Sequence, residues 1–249
     1  MTTFDAHPRS SLIVALDFDS LGTALKFAKQ LAESVGMFKI GSQLFTAAGP
    51  AAVREIAALG PGIFLDLKFH DIPNTVAGAV LAAAAMPGLQ LVNVHALGGT
   101  AMMRAAAQAV SAGVPMGADR TRLLAVTILT SMDQKAIREV GIGGPAKGRV
   151  VKLAKLAQKA GVDGVVASVE ETKAIRKACG REFLIVTPGV RQKEQGRGAK
   201  QDDQARTATP REAIKAGADF IVVGRPIIAA ADPRVAAQQM VDEIAAAKS

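Results

Sequence analysis

Short runs of aliphatic and β-branched residues recur along the chain, each followed by a longer segment with helical spacing. The runs cover residues 12–17, 37–40, 63–68, 91–95, 123–128, 164–167, 183–187 and 220–223. Most are apolar at successive positions rather than at alternate ones. That pattern predicts strands covered on both faces, as in a buried parallel sheet. Between the runs, residues 21–35 place Leu21, Leu25, Ala28, Leu31 and Val35 on one helical face, with Lys26, Lys29 and Glu33 elsewhere. Residues 150–160 repeat the pattern with Val150, Leu153, Ala154 and Ala157. Gly36, Gly60 or Gly62, Gly161 and Gly217 stand where helices should stop before the next strand.

Eight such β-α units in 249 residues fit an α/β fold of the (β/α)8 TIM barrel type, whose usual length is about 250 residues. A doubly wound open sheet is the alternative on pattern alone. No linker, low-complexity tract or charge block divides the chain, so residues 1–249 are expected to form a single domain. Residues 1–10 read as an N-terminal tail. Residues 192–203 form a long polar loop containing Gly196 and Gly198, and loops of that length commonly serve as lids.

Composition narrows the setting. Hydrophobic residues make up 49% of the chain, enough for a sizeable core. The lone cysteine, Cys179, excludes an internal disulfide framework or a Cys-based zinc site and fits a reducing, cytoplasmic setting. Cys179 itself reads as a solvated helix-end residue. The first residues contain no apolar run of the secretory type. The most apolar stretch, residues 77–94, is broken by Pro87 and Gly88, so no membrane span is expected.

The net charge of +8 suits an anionic partner. Nucleic acid, a small phosphorylated metabolite and mere solubility all remain compatible with it. With no Trp or Tyr and nine Phe, there is little to stack on single-stranded bases, which counts against nucleic acid.

In a barrel the working face lies at the C-terminal ends of the strands. Those ends carry Asp17, Lys39, Asp66 and Lys68, with Asp71 just beyond. Strand alternation puts Asp66 and Lys68 on the same side. Charges inside apolar strands are costly unless paired, so Asp17, Lys39, Asp66 and Lys68 are expected to converge, with Asp71 close by. Strand five leads to Thr130 and Ser131. Strand seven ends in Pro188-Gly-Val-Arg191 and strand eight in Gly224-Arg225. The loops after strands seven and eight are a frequent phosphate site in barrels. Arg191, the Arg225 fork and backbone N–H groups near Gly224 suit a dianion.

Several signals are set aside. His7, His70 and His95 have no metal-ligand spacing, and no metal site is expected. His70 and His95 read as packing or hydrogen-bonding residues. The run Gly143-Gly-Pro-Ala-Lys-Gly148 lacks the Lys-Ser/Thr step of a phosphate loop and reads as a turn.

The segment Asp66-Leu-Lys-Phe-His-Asp-Ile-Pro-Asn-Thr75 closely resembles the signature of the orotidine 5′-phosphate decarboxylase family. Agreement continues in order through Ala15-Leu-Asp17, Phe38-Lys-Ile-Gly41, Leu129-Thr-Ser131, Thr187-Pro-Gly-Val-Arg191, Asp203-Gln204 with Arg206, and Val223-Gly-Arg225. It runs from about Leu12 to Ile227. The stretch from Arg191 to Gln204 looks a few residues longer than in the shorter bacterial members.

The resemblance implies decarboxylation of orotidine 5′-phosphate to UMP in pyrimidine biosynthesis, without a cofactor. It implies Lys68 as proton donor to C6 and Asp66 beside the substrate carboxylate. Lys39 would hold Asp66 and contact the ribose, and Asp17 would bind ribose hydroxyls. Thr130 and Ser131 would meet the pyrimidine, and Pro188, Arg191, Gln204, Gly224 and Arg225 the phosphate end. It further implies a homodimer in which Asp71 and Thr75 reach into the partner's site. A magnesium-dependent decarboxylase of β-keto sugar phosphates shares the Asp-x-Lys element. The Phe69-to-Thr75 continuation and Ser131 favour the pyrimidine substrate. A phosphate-binding isomerase is a weaker alternative, since nothing supplies its acid/base pair.

Overall fold

The computed structural model describes residues 7–112, 120–192 and 208–248. Its strands are β1 (Leu12–Ala15), β2 (Met37–Gly41), β3 (Gly62–Phe69), β4 (Leu89–His95), β5 (Arg122–Val126), β6 (Gly164–Val166), β7 (Leu184–Pro188) and β8 (Phe220–Val223). Each pairs in parallel with its sequence neighbours, and β8 pairs with β1, so the sheet closes into a barrel. Helices connect the strands around the outside. The open-sheet alternative is thereby excluded. No helix among the described residues is long and apolar enough to cross a membrane.

Closure splits the buried side chains into two sets by strand parity. Ile13, Ala15, Met37, Phe64, Leu91, Leu124, Leu184, Val186, Phe220 and Val222 pack together inside the barrel. Leu12, Val14, Phe38, Ile40, Leu65, Val92 and Ile221 belong to the larger cluster between the sheet and the helices. The strands read as continuous apolar runs because both parities are covered. Extending the inward parity toward the strand ends reaches Asp17, Lys39, Asp66, Asn93, Pro188 and Gly224. One geometric rule therefore stacks a polar layer on an apolar plug.

The helix expected over residues 21–35 is shorter, Leu21–Leu31. The Ser20 side chain caps its start, and a turn with Ser34 N–H donating to the Leu31 carbonyl (2.9 Å) ends it. Ala24, Ala28 and Leu31 form its buried stripe. The helix expected over residues 150–160 begins earlier and spans Ala146–Lys159. Cys179 is a correction. It closes the helix Val169–Cys179 in a buried position, and burial pushes its thiol pKa up. At the N-terminus, Pro8–Ser11 is a 3-10 turn, and Arg9 donates to the Glu33 carbonyl (3.0 Å).

The glycines expected to stop helices divide by cause. Gly60, Gly161 and Gly217 have φ values of 107°, 87° and 104°, the left-handed region that favours glycine. Gly36 is instead required by contact, since a Cβ there would lie 2.6 Å from the Ser10 Cα. Gly164 in β6 is similarly confined, because its Cβ would sit 2.3 Å from the Leu184 carbonyl oxygen. At Gly62 the obstacle is only the side chain of Gln90, an exposed residue. We therefore expect Gly164→Ala to cost about 2 kcal/mol, or roughly 4–8 °C in Tm for a domain of this size. Gly62→Ala should cost less than half as much. Thermal unfolding of both variants checks the contrast, and equal losses would contradict it.

Candidate active site

The inward-facing ends of β1, β2 and β3 carry a chain of alternating charges. Lys39 Nζ lies 2.9 Å from Asp17 Oδ1 and 3.5 Å from Asp66 Oδ2. Lys68 Nζ lies 2.8 Å from Asp66 Oδ1. The order Asp17–Lys39–Asp66–Lys68 gives each internal charge an opposite neighbour on both sides, as buried ionic groups require. The four converge as expected from the strand ends. Asp66 and Lys39 are largely enclosed, with side chains 11% exposed, whereas Lys68 is 37% exposed and faces the cavity.

The positions of Asp66 and Lys68 depend on an irregularity in β3. Pairing runs from Leu65↔Val92 to Phe69↔Val94, so β3 takes four steps while β4 takes two. Such bulges re-aim side chains at functional sites. Within this one, Lys68 has φ +51° and is the only non-glycine residue with positive φ among the described residues. That conformation costs about 1–3 kcal/mol and persists only when its surroundings enforce it. Asn93 on β4, fully buried, meets the bulge directly. Its Oδ1 accepts the Lys68 backbone N–H at 2.8 Å, and its Nδ2 donates to Asp66 Oδ1 at 2.6 Å.

Asn93 is a residue that the sequence reading missed. A lone amide inside Leu91-Val-Asn-Val-His95 was the available signal, since a buried polar side chain demands partners. Gly41 is a second such position. A Cβ there would lie 3.0 Å from Lys39 Nζ and 3.3 Å from Asp17 Oδ1, so the bare backbone leaves room for that pair.

Burial alone would lower the Lys39 pKa. The charges of Asp66 and Asp17, with their hydrogen bonds, outweigh it and raise the pKa above 10.5. A raised folded pKa means that the ammonium is bound more tightly in the folded state. This contribution to stability is fully present below the unfolded value and is lost as pH rises through the folded one. Lys39→Gln should therefore lower stability by about 3 kcal/mol, and by the same amount at about pH 7 and about pH 9. Denaturant titrations at the two pH values check this. A difference that shrinks toward pH 9 would contradict it.

The quartet opens into a cavity of about 550 Å³, within the size range of small-molecule sites. Val126, Ile128, Leu129 and Val166 supply an apolar wall, with Thr130 at its edge. Pro188, Gly189, Val190, Arg191, Gly224 and Arg225 line the end formed by the loops after β7 and β8. The Arg191 N–H donates to the Ala208 carbonyl at 2.9 Å, which ties the loop after β7 to the residue that precedes the Thr209 helix cap. Among the described residues, no three His, Cys, Asp or Glu side chains gather as a metal-ligand set.

Other expected site residues lie apart. Ser131 is exposed, in the turn after β5 and outside the cavity lining. Asp71 and Thr75 are exposed and also outside the lining. The Lys68 ammonium pairs with Asp66 rather than with Asp71 of its own chain, and Asp71 Oδ1 instead accepts the Ile72 N–H at 2.6 Å. Pro73 opens the helix Pro73–Ala84, so the segment is also the helix start that its sequence suggests. Gln204 and residues 193–203 of the polar loop lie outside the described residues; Gln192 bonds Gln239 at 3.2 Å. His70 stacks on His95 with ring centroids 5.4 Å apart. Burial, then the charges of His70 and Lys68, lower the His95 pKa.

Comparison with known proteins agrees with this geometry. A sequence model described as "Orotidine 5'-phosphate decarboxylase / HUMPS family" matches residues 10–240. The orotidine 5′-phosphate decarboxylase of Trichlorobacter lovleyi is 55% identical over 238 residues, covering 96% of each chain. That of Geobacter sulfurreducens is 52% identical, covering 96% of this chain and 97% of the other. The crystal structure of orotidine 5′-phosphate decarboxylase from Lactobacillus acidophilus superposes with a TM-score of 0.82 at 39% identity, covering 94% of this chain and 98% of that one. Likeness of this extent, in sequence and in fold, makes the chain a member of the orotidine 5′-phosphate decarboxylase / HUMPS family.

Proposed function

We propose that this enzyme, a carbon–carbon lyase, converts orotidine 5′-phosphate to UMP and CO2 in pyrimidine biosynthesis, without a cofactor and with Lys68 as proton donor. The observation that carries this reading is the Asp17–Lys39–Asp66–Lys68 array, set in one cavity with Arg191 and Arg225. A phosphate held by the two arginines leaves the nucleoside to extend toward the charged strand ends.

The C6–carboxylate bond breaks with its electron pair left on C6, in an orbital orthogonal to the ring π system. The site must meet that localised charge with a fixed positive one. The Lys68 ammonium fits the need, being compact and able to give up a proton. The proton passes from Nζ to C6, and CO2 departs. Asp66 holds the ammonium by its 2.8 Å contact and lies beside the path of the substrate carboxylate. Lys39 pins the other oxygen of Asp66 and, with Asp17, faces the ribose. The apolar wall lowers the local dielectric and strengthens the Lys68 field. Thr130, at the edge of the apolar wall, meets the pyrimidine edge.

Loss of orotidine 5′-phosphate, followed by absorbance with excess EDTA, tests the reaction and its freedom from a metal. Undiminished turnover is the expected result. Turnover abolished by EDTA and restored by magnesium would contradict the cofactor-free mechanism. No loss of orotidine 5′-phosphate, with magnesium-dependent turnover of a β-keto sugar phosphate, would favour the rival chemistry instead.

The same reading includes a homodimer with shared sites. Asp71 points outside its own cavity, beside Ile72, which is 66% exposed; Leu81 and Leu97 are exposed as well. A two-fold contact on this face would deliver Asp71 and Thr75 to the neighbour reciprocally. In a mixture of Lys68→Ala and Asp71→Ala chains, a heterodimer has one site with both lesions and one with neither. Random pairing should restore roughly a quarter of all sites. Co-refolded mixtures that contain heterodimer but show no activity above either parent would place Asp71 in its own chain's site.

A further inference from the structure

We infer that Asn93 is a positioning residue for the reaction, acting through Asp66 and the backbone of Lys68; this rests on the function proposed above. Asn93 is fully buried, and both ends of its amide are used. Oδ1 accepts the Lys68 N–H at 2.8 Å and Nδ2 donates to Asp66 Oδ1 at 2.6 Å. The orientation is fixed by chemistry, since a backbone N–H needs an acceptor and a carboxylate needs a donor.

One side chain therefore grips the reacting lysine at its backbone and the lysine's counterion at its carboxylate. The grip falls where β3 departs from its register with β4 and where Lys68 takes φ +51°. The Lys68 N–H has left the regular β3–β4 ladder, and the Asn93 amide supplies its acceptor. Asp66 Oδ1 receives the Asn93 amide and the Lys68 ammonium together, while Lys39 stands 3.5 Å from Oδ2. Three donors leave the carboxylate little freedom to rotate, so the ammonium it anchors is held at one place in the cavity. Preorganisation of this kind matters most where a fixed charge must stabilise a transition state.

The substitution Asn93→Asp separates the two bonds. The introduced carboxylate keeps an acceptor for the Lys68 N–H but sets a second negative charge against Asp66. Turnover should fall on the order of a hundredfold at about pH 8, from loss of a charge-assisted hydrogen bond and the new repulsion. UMP affinity should change by less than about threefold, because its phosphate contacts lie elsewhere. As pH falls, protonation of the introduced carboxylate restores a donor, and the protonated acid copies the amide's accept-and-donate pattern. The deficit relative to the parent should then shrink by about tenfold per pH unit until the introduced acid is protonated.

A second, activity-independent arm uses hydrogen exchange at the Lys68 amide. Asn93→Ala should speed it at least about tenfold, while Asn93→Asp should leave it protected. Absence of a deficit, a deficit that does not vary with pH, or a UMP affinity that falls as far as kcat would overturn the inference. Unchanged Lys68 exchange in Asn93→Ala would overturn it too. A parent protein that fails to consume orotidine 5′-phosphate would instead overturn the functional reading, and the exchange arm would still decide whether Asn93 holds Lys68.

Discussion

Lys68→Ala is expected to lose turnover by roughly 10⁴- to 10⁷-fold. The range combines a general-acid contribution of about 10²–10⁴ with an electrostatic one of about 10²–10³. UMP binding should survive, because Lys68 contributes neither to the arginine end nor to the apolar wall of the cavity. A modest gain in affinity would also be consistent, since removing a catalytic group can relieve ground-state strain. Lys68→Arg should fail as well. A guanidinium keeps the charge but is a poor proton donor near neutral pH, and its planar fork does not fit the point contact with Asp66. Turnover of Lys68→Ala within tenfold of the parent would remove Lys68 from the proton-transfer step.

The second large effect concerns the phosphate. Binding energy from a group remote from the chemistry can be used to order the site and close a loop over it. Orotidine without its phosphate should therefore lose kcat/KM by many orders of magnitude. Arg225→Ala should lower kcat/KM for the phosphorylated substrate by about 10²–10⁴, the worth of two charge-assisted hydrogen bonds. For the truncated substrate it should change little. Parallel kinetics on the two substrates separate these outcomes. Equal losses on both would mean that Arg225 acts on the fold rather than on the phosphate.

How much of this was legible in the sequence follows from how local each feature is. Strand parity is local: once Ile13 and Met37 face inward, so do Asp17 and Lys39. The convergence of four charges could therefore be read from the strand ends. The role of Asn93 could not, because it depends on the four-against-two mismatch between β3 and β4, a relation between strands rather than within one. Gly41 was hidden for the same reason, since its meaning lies in the space taken by Lys39 and Asp17 across the barrel end. Cys179 misled because Lys177 and Arg181 flank it, while packing buries the position between them. Asp71 shows the limit of proximity in sequence. It stands three residues after Lys68, yet the chain turns it outward.

Opposite ends of the barrel also use charge differently. Arg120 pairs with Asp163, and Arg176 with Asp219 at 2.7 Å. Each of these carboxylates also accepts a strand N–H, from Leu123 and Ile185 respectively. Those pairs clamp strand starts and have no part in the cavity. The quartet at the strand ends instead leaves Lys68 partly open to it.

The central claim is that Lys68 exchanges a proton with C6. Microscopic reversibility gives a direct measurement of it, without any decarboxylation: the enzyme should catalyse exchange of the C6 hydrogen of UMP for deuterium in D2O, followed by proton NMR. The account predicts exchange with the parent enzyme and none above background with Lys68→Ala that still binds UMP. Exchange by Lys68→Ala at the parent's rate would contradict it.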